Sequence, residues 1–373
     1  MSTRKVSMAA SLFLVGRSLA LVLGSALIPA LGTAQALRGT VTDEAGQPTK
    51  EALVTVSTGA GVVVARAVSD SEGRYSVQLP QSGSFTVRVL RVGFMPSKPL
   101  AVTVADRETT VVPLVASAGR IQLATFRIQG VRSCGTVGFR SVDEQTLWEQ
   151  AVASLAAAGQ SLQRPLRTTT LLIDRTLDAR GRRTLRQNVV ERNGTYIQPW
   201  RSVSADSLRR RGYVWVENGD SLAFIAPSIE VLLSQVFFED HCFSPRFNSD
   251  RSEIGIEFTP IPSRANRSEI RGALWLSTMS GELERLEFSF TGVPGAPELS
   301  GSQSAGGELR FKRLADRSTH IVDWEIRIPS LAVRDDSVRD VRVMAVQVSA
   351  GRTILLRQGN DSLFRNTTGR VYC

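Results

Sequence analysis

The chain has 373 residues, enough for two or three domains with cores of their own, and carries a formal charge of +10. Of its 45 basic residues only Lys5, Lys50, Lys98 and Lys312 are lysines, and the densest arginine runs, at 180–186 and 209–211, lack the interleaved aromatics of a nucleic-acid surface. Only two histidines, His241 and His320, are present and neither opens a His-x-x-Glu pair, so a zinc peptidase is not expected; nor is any nucleic acid, metal or cofactor.

Residues 1–36 read as a signal peptide. Arg4 and Lys5 form a basic start, an apolar run of about 13 residues spans Leu19 to Leu31, and Ala34-Gln35-Ala36 supplies small residues for cleavage after Ala34 or Ala36. The run is short of the roughly 20 residues needed to cross a bilayer, so the mature chain is expected to have no membrane span. Export to the periplasm, the outer membrane or the exterior follows as the expectation.

Seven short strands follow, at 38–42, 52–57, 62–69, 74–79, 84–92, 100–104 and 109–115. They are separated by turns such as Asp43-Glu44-Ala45-Gly46, Thr58-Gly59-Ala60-Gly61, Asp70-Ser71-Glu72-Gly73 and Gln81-Ser82-Gly83. Val54/Val56 and Val87/Val89 alternate with polar residues, as half-buried strands do. Asp43, Asp70 and Glu72 have the spacing of turn residues rather than of a calcium loop.

Several motifs run in order here: Gly39-x-Val41-x-Asp43-x-x-Gly46-x-Pro48, Asp70-x-x-Gly73-x-Tyr75, Gly83-x-Phe85-x-Val87 and Val92-Gly93-Phe94. This block, 37–116, resembles the carboxypeptidase regulatory-like domain. The resemblance implies a prealbumin-like seven-stranded sandwich grouped with carbohydrate-binding-like folds. It implies no activity, because the domain is appended to proteins of many kinds.

Residues 117–140 read as a connector with one strand at 123–128. A helix is expected at 142–158, opened by a capping box of Ser141 and Glu144 and ended by Gly159, with Leu147, Ala151, Leu155 and Ala158 on one face. The rest of 141–373 reads as a β-rich domain. Its antiparallel strands fall at 169–175, 184–192, 213–217, 221–225, 253–259, 270–278, 282–291, 308–314, 320–328, 341–349 and 353–356, interrupted by a helix at 229–238. The whole chain is therefore expected to be mainly β.

The segment from Pro227 to Phe243, with Ile270–Leu276 and Trp324–Pro329, is similar to the C-terminal part of exported bacterial proteins that carry the same first domain. The hairpin at 270–290 also resembles the curved sheets of periplasmic lipoprotein carriers.

Cys134 and Cys242 are the expected disulfide, since both lie inside one domain of an exported chain; Cys373, the last residue, is the alternative partner for either. The run Glu239-Asp240-His241-Cys242 could place an imidazole beside a thiol, but neighbours on a chain rarely face each other, so a crosslink is expected in place of a nucleophile. No G-x-S-x-G elbow, phosphate loop or dinucleotide fingerprint is present. All five tryptophans lie beyond residue 140, and Trp200, Trp215 and Trp275 are the candidate ligand-surface aromatics. The expected function is a non-enzymatic envelope protein that binds a ligand or protein partner, with a carbohydrate- or surface-polymer-binding protein, or a lipid carrier or outer-membrane receptor accessory, as the alternatives.

Overall fold

The computed structural model describes residues 35–127, 133–134, 141–163, 166–195, 198, 200–217, 221–294, 304–333 and 341–366. The signal-peptide segment up to residue 34, residues 128–132 and 135–140 of the expected connector, and Cys373 lie outside them.

The first unit is a sandwich of two four-stranded sheets. In one sheet β1 (Ala36–Thr42) pairs antiparallel with β4 (Arg74–Gln78) and parallel with β7 (Thr109–Val111) and β8 (Leu114–Val115). The seventh expected strand is thus two short pieces, broken at Val112-Pro113, where proline has no N–H to give a ladder. The other sheet runs β3 (Val63–Val68), β2 (Leu53–Thr58), β5 (Gly83–Leu90), β6 (Leu100–Val104). Leu37, Val41, Val54, Val56, Tyr75, Val77, Phe85, Val87 and Val89 fill the space between the sheets. The Tyr75 hydroxyl donates to the Val112 carbonyl at 2.7 Å, and burial pushes its pKa up to about 12. Gly73, at φ +73, could not carry a side chain, since a Cβ would stand 2.5 Å from the Val41 carbonyl oxygen. The Asp43 and Asp70 carboxylates accept turn N–H groups, from Ala45 and Gln47 and from Glu72 and Arg74 respectively.

The second unit is an 11-stranded sheet, antiparallel throughout. Its order is β11 (Thr184–Thr195), β10 (Arg167–Leu177), β20 (Val341–Gln358), β19 (Thr319–Val333), β18 (Gly306–Arg313), β17 (Leu283–Thr291), β16 (Glu269–Ser277), β15 (Glu253–Pro260), β14 (His241–Phe247), β9 (Ser133–Cys134), with β21 (Asp361–Arg365) added to β20. A separate hairpin joins β12 (Val214–Glu217) to β13 (Ser221–Phe224).

One face of this sheet is apolar, built from Phe243, Ile256, Phe258, Leu274, Leu286, Phe288, Leu309 and Ile326 among others. The opposite face carries cross-strand ion pairs: Arg285 with Glu253 at 2.8 Å, Arg352 with Asp323 at 2.9 Å, Arg175 with Glu325 at 3.2 Å. That division is what a period of two produces when one face must be buried.

Several expectations change. The strand expected at 123–128 is a single 3-10 turn, Leu123–Thr125. The strands expected at 341–349 and 353–356 are one strand, because Gly351 is not a turn residue. It lies opposite Trp324 in the register, and a Cβ there would meet the indole Nε1 at 2.1 Å. β14 escapes a pattern search because Pro245 interrupts it. The helix expected at 229–238 is two, α3 (Ile229–Leu232) and α4 (Gln235–Asp240), and a further helix, α2 (Ala205–Arg211), precedes them.

Helix α1 (Val142–Leu162) begins as expected, with the Ser141 side chain accepting from the Glu144 N–H at 3.1 Å. It runs through Gly159 instead of stopping there. The missing side chain lets α3 approach: a Cβ at 159 would sit 3.2 Å from Ile229 Cγ2. Because α1 lies between the two units, it is buried on both sides. Leu147, Ala151, Leu155 and Ala158 join the apolar face of the large sheet, while Val152, Ala153 and Ala156 pack on Leu53, Leu90 and Val92 of the sandwich. Gln150, wholly buried, accepts from the Gly93 N–H at 2.8 Å and donates to the Phe94 carbonyl at 2.7 Å, which fixes the 91–94 turn on the helix.

Candidate functional site

Beyond the C-terminal end of α1 the apolar face of the large sheet opens into a groove of about 610 Å³. Its floor is formed by alternate residues of β10 (Thr168, Thr170, Leu172 and Asp174), and Ser349 and Thr353 of β20 lie beside them. Trp324 and Ile321 of β19 form one wall with Leu162 of α1; Arg192 and Gln198 bring polar groups from the other side. The Ser349 hydroxyl donates to Asp174 Oδ1 at 2.9 Å, and the Thr168 and Thr170 hydroxyls are 2.9 Å apart. One acid and one arginine offset each other, so the lining offers an indole, hydroxyls and an amide with little net charge.

The sheet explains why these residues meet. β10 and β20 are paired over their length, Leu172 opposite Gly351 and Asp174 opposite Ser349, and β20 is paired with β19 in turn, Gly351 opposite Trp324. Gly351 leaves the space that the Trp324 ring occupies. The sequence offers no signal for this site, because its residues come from strands about 150 positions apart.

Of the three tryptophans singled out by sequence, one is close to the groove. Trp200 packs against Trp324 with ring centroids 5.9 Å apart and donates from Nε1 to the Pro227 carbonyl at 3.3 Å. Trp215 and Trp275 are buried and present no ring face to a ligand. Arg211 covers Trp215 at 4.2 Å from the centroid. Trp275 lies across Gly255 between Arg246 and Arg285, at 4.8 and 4.7 Å, and its Nε1 donates to Glu287 at 3.1 Å. Trp324, which sequence reasoning passed over as an ordinary strand residue, is the tryptophan that lines the groove.

Cys242 is bonded to Cys134, so its sulfur is not a thiol. His241 points elsewhere, into a buried network. Its Nδ1 and Nε2 lie 2.9 and 3.2 Å from the carbonyls of Phe237 and Ile270, and burial pulls its pKa down to about 4 against those hydrogen bonds. Beside it Arg264 bonds Glu269 and pairs with Asp240 at 3.4 Å, and Asp240 also accepts from Arg209. Burial pushes the Glu269 carboxyl up to about 7, against the pull of Arg264. His320 is buried with Nε2 2.8 Å from the Ser318 hydroxyl. No group of three metal-ligating side chains occurs among the described residues. No helix among them is long and apolar enough to cross a membrane.

With this geometry in place, comparison with known proteins bears on the first unit. Residues 36–116 match the family model of the carboxypeptidase regulatory-like domain. The chain carries a carboxypeptidase regulatory-like domain. No curated protein matches the chain. Among solved structures, a type II cohesin–X-dockerin complex from Acetivibrio cellulolyticus aligns at 20% identity and TM-score 0.16 over 23% of this chain and 55% of that one, so this chain spans about half the length of that relative. A DUF3823 family protein from Bacteroides ovatus aligns at 8% identity and TM-score 0.19 over 60% of this chain and 91% of the other. At such scores neither likeness bears on function. No residue of the regulatory-like domain lines the groove.

Proposed function

We propose that this is an exported, non-enzymatic cell-envelope protein, a binding module whose ligand is a neutral, hydroxyl-rich molecule such as a carbohydrate or surface polymer. The groove carries the reading: one indole wall is set among hydroxyl, amide and carboxylate groups on a rigid sheet. An aromatic ring takes the apolar face of a sugar, while such polar groups exchange hydrogen bonds with its hydroxyls. A lipid fits less well, because α1 already fills the apolar face of the sheet where an acyl chain would lie. A glycan array on the full chain, followed by calorimetry on the best hit, tests the reading. Asp174→Ala and Trp324→Phe are each expected to weaken binding at least tenfold, or about 1.4 kcal/mol, with the circular dichroism unchanged. Absence of any glycan hit, or wild-type affinity in both variants, would sink it.

Export has its own test. The Gln35 carbonyl accepts from the Leu79 N–H at 3.0 Å, the Ala36 N–H donates to the Glu108 carbonyl at 3.0 Å, and Leu37 is fully buried. Cleavage after Ala36 would remove the Ala36–Glu108 and Gln35–Leu79 bonds, whereas cleavage after Ala34 keeps both. The mature chain is therefore expected to begin at Gln35. N-terminal sequencing of the secreted protein checks this, and a start at Leu37 would contradict it.

A further inference from the structure

A second cavity, of about 470 Å³, lies between the regulatory-like sandwich and helices α1 and α4. Arg66 and Arg88 from the sandwich line one side; Trp148, Glu149 and Val152 from α1 and Phe238 from α4 line the other. The aromatic side is firmly built: Trp148 and Phe238 have ring centroids 5.6 Å apart, and both pack on Phe243 at 4.7 and 5.5 Å.

The polar side is incomplete. Arg88 is ion-paired with Glu149, whose Oε1 also accepts from Gln145 at 3.0 Å. Glu149 Oε2 is buried without a hydrogen-bond partner. Arg66 donates from one terminal nitrogen to the Leu233 carbonyl at 2.9 Å, but its Nε is buried and unpartnered. Among the described residues no carboxylate stands within ion-pair distance of Arg66. Arg66 is half-buried, and a charge partly removed from water favours a partner of opposite sign. Burial lowers the Arg66 pKa with no opposing carboxylate to raise it, in keeping with that missing partner.

We infer that this cleft is a second ligand site, for a small carboxylate bearing an apolar group and an N–H donor, the chemistry of an N-acylated apolar amino acid or of a peptide's C-terminal residue. The carboxylate neutralises Arg66, the N–H satisfies Glu149 Oε2, and the apolar group lies against Trp148, Phe238 and Val152. Arg88 and Glu149 cancel, so the cleft keeps one positive charge and selects a single negative one.

N-acetyl-L-phenylalanine and its uncharged primary amide, titrated calorimetrically into the full chain, provide the test. The acid should bind at least tenfold more tightly than the amide. Arg66→Gln should abolish that preference, and Ser57→Phe, which fills the sandwich side of the cleft, should abolish binding of both. Unfolding midpoints of both variants, measured alongside, identify any that fails to fold, and each tests the site independently. A short peptide ending in phenylalanine separates the two sources, tighter binding than the free derivative assigning a chain end. Failure of the wild type to bind the acid, an acid no better than the amide, or a wild-type preference in folded Arg66→Gln would overturn the inference.

Discussion

Serine in place of both Cys134 and Cys242 is expected to lower the unfolding free energy by up to about 4–5 kcal/mol. The bond closes a loop with a sequence separation of 108, and constraint of the unfolded chain grows with the logarithm of that length. In the folded state β9 adds two residues to the edge of the sheet, Cys134 opposite Cys242 and Ser133 opposite Phe243. A midpoint lower by about 10 °C or more is the expected outcome, at about 2–4 °C per kcal/mol for a unit of this size. Thermal melts followed by tryptophan fluorescence report on the right part of the molecule, since all five tryptophans lie beyond residue 140. A melt unchanged in the double variant would show that β9 and the sheet are held by other contacts.

The second large effect is a pair of opposing pH dependences in the network around His241. Unfolded, His241 takes a proton near its ordinary value of 6.5; folded, burial delays that to about 4. Stability from this group is therefore complete above pH 6.5 and drains away as the pH falls to 4. Glu269 runs the other way. Folded, it holds its proton to about 7, while unfolded it releases it near 4.5, so stability is complete below 4.5 and drains away as the pH rises to 7. Each shift corresponds to a change on the order of 3 kcal/mol.

In the wild type the two slopes should nearly cancel between pH 4.5 and 6.5. His241→Asn should uncover the Glu269 slope, giving a protein that gains stability as the pH falls from 7 to 4.5. Glu269→Gln should uncover the opposite slope and make the fold acid-labile below 6.5. Urea midpoints at half-unit pH steps decide the matter. Parallel profiles for the three proteins would mean that neither group titrates with folding. Arg209, Arg264 and Asp240 share the network, so the slopes, and not the absolute stabilities, are the quantities to compare.

The features legible in the sequence were those set by neighbours on the chain. Gly46 and Gly73 adopt positive φ, +76 and +73, in the Asp-started turns where they were expected. The alternation of Val54 with Val56 and of Val87 with Val89 placed those residues in the sandwich core. Ser141 marked the start of α1 because a cap is a contact across three residues. The pairing of Cys134 with Cys242 followed from a count of cysteines and the assumption of a shared domain.

What needed the tertiary structure was every feature whose cause lies far away in sequence. Gly159 ends a helix by local rules, yet α1 runs on to Leu162, and the bare position at 159 is where Ile229 of α3 comes close. Gly351 looks like a turn, yet it is a mid-strand position kept bare for Trp324, which turns a strand residue into the wall of a groove. Trp215 and Trp275 have the composition of ligand aromatics, but arginines from other elements cover their faces. Arg66 reads as an ordinary strand arginine until α1 and α4 close over it. By itself the sequence determined a regulatory-like sandwich followed by a β-rich unit, because strand alternation and turn chemistry are local. The groove and the cleft were decided by the tertiary structure, because pairing of β10, β20 and β19 assembles the one and packing of α1 on the sandwich assembles the other.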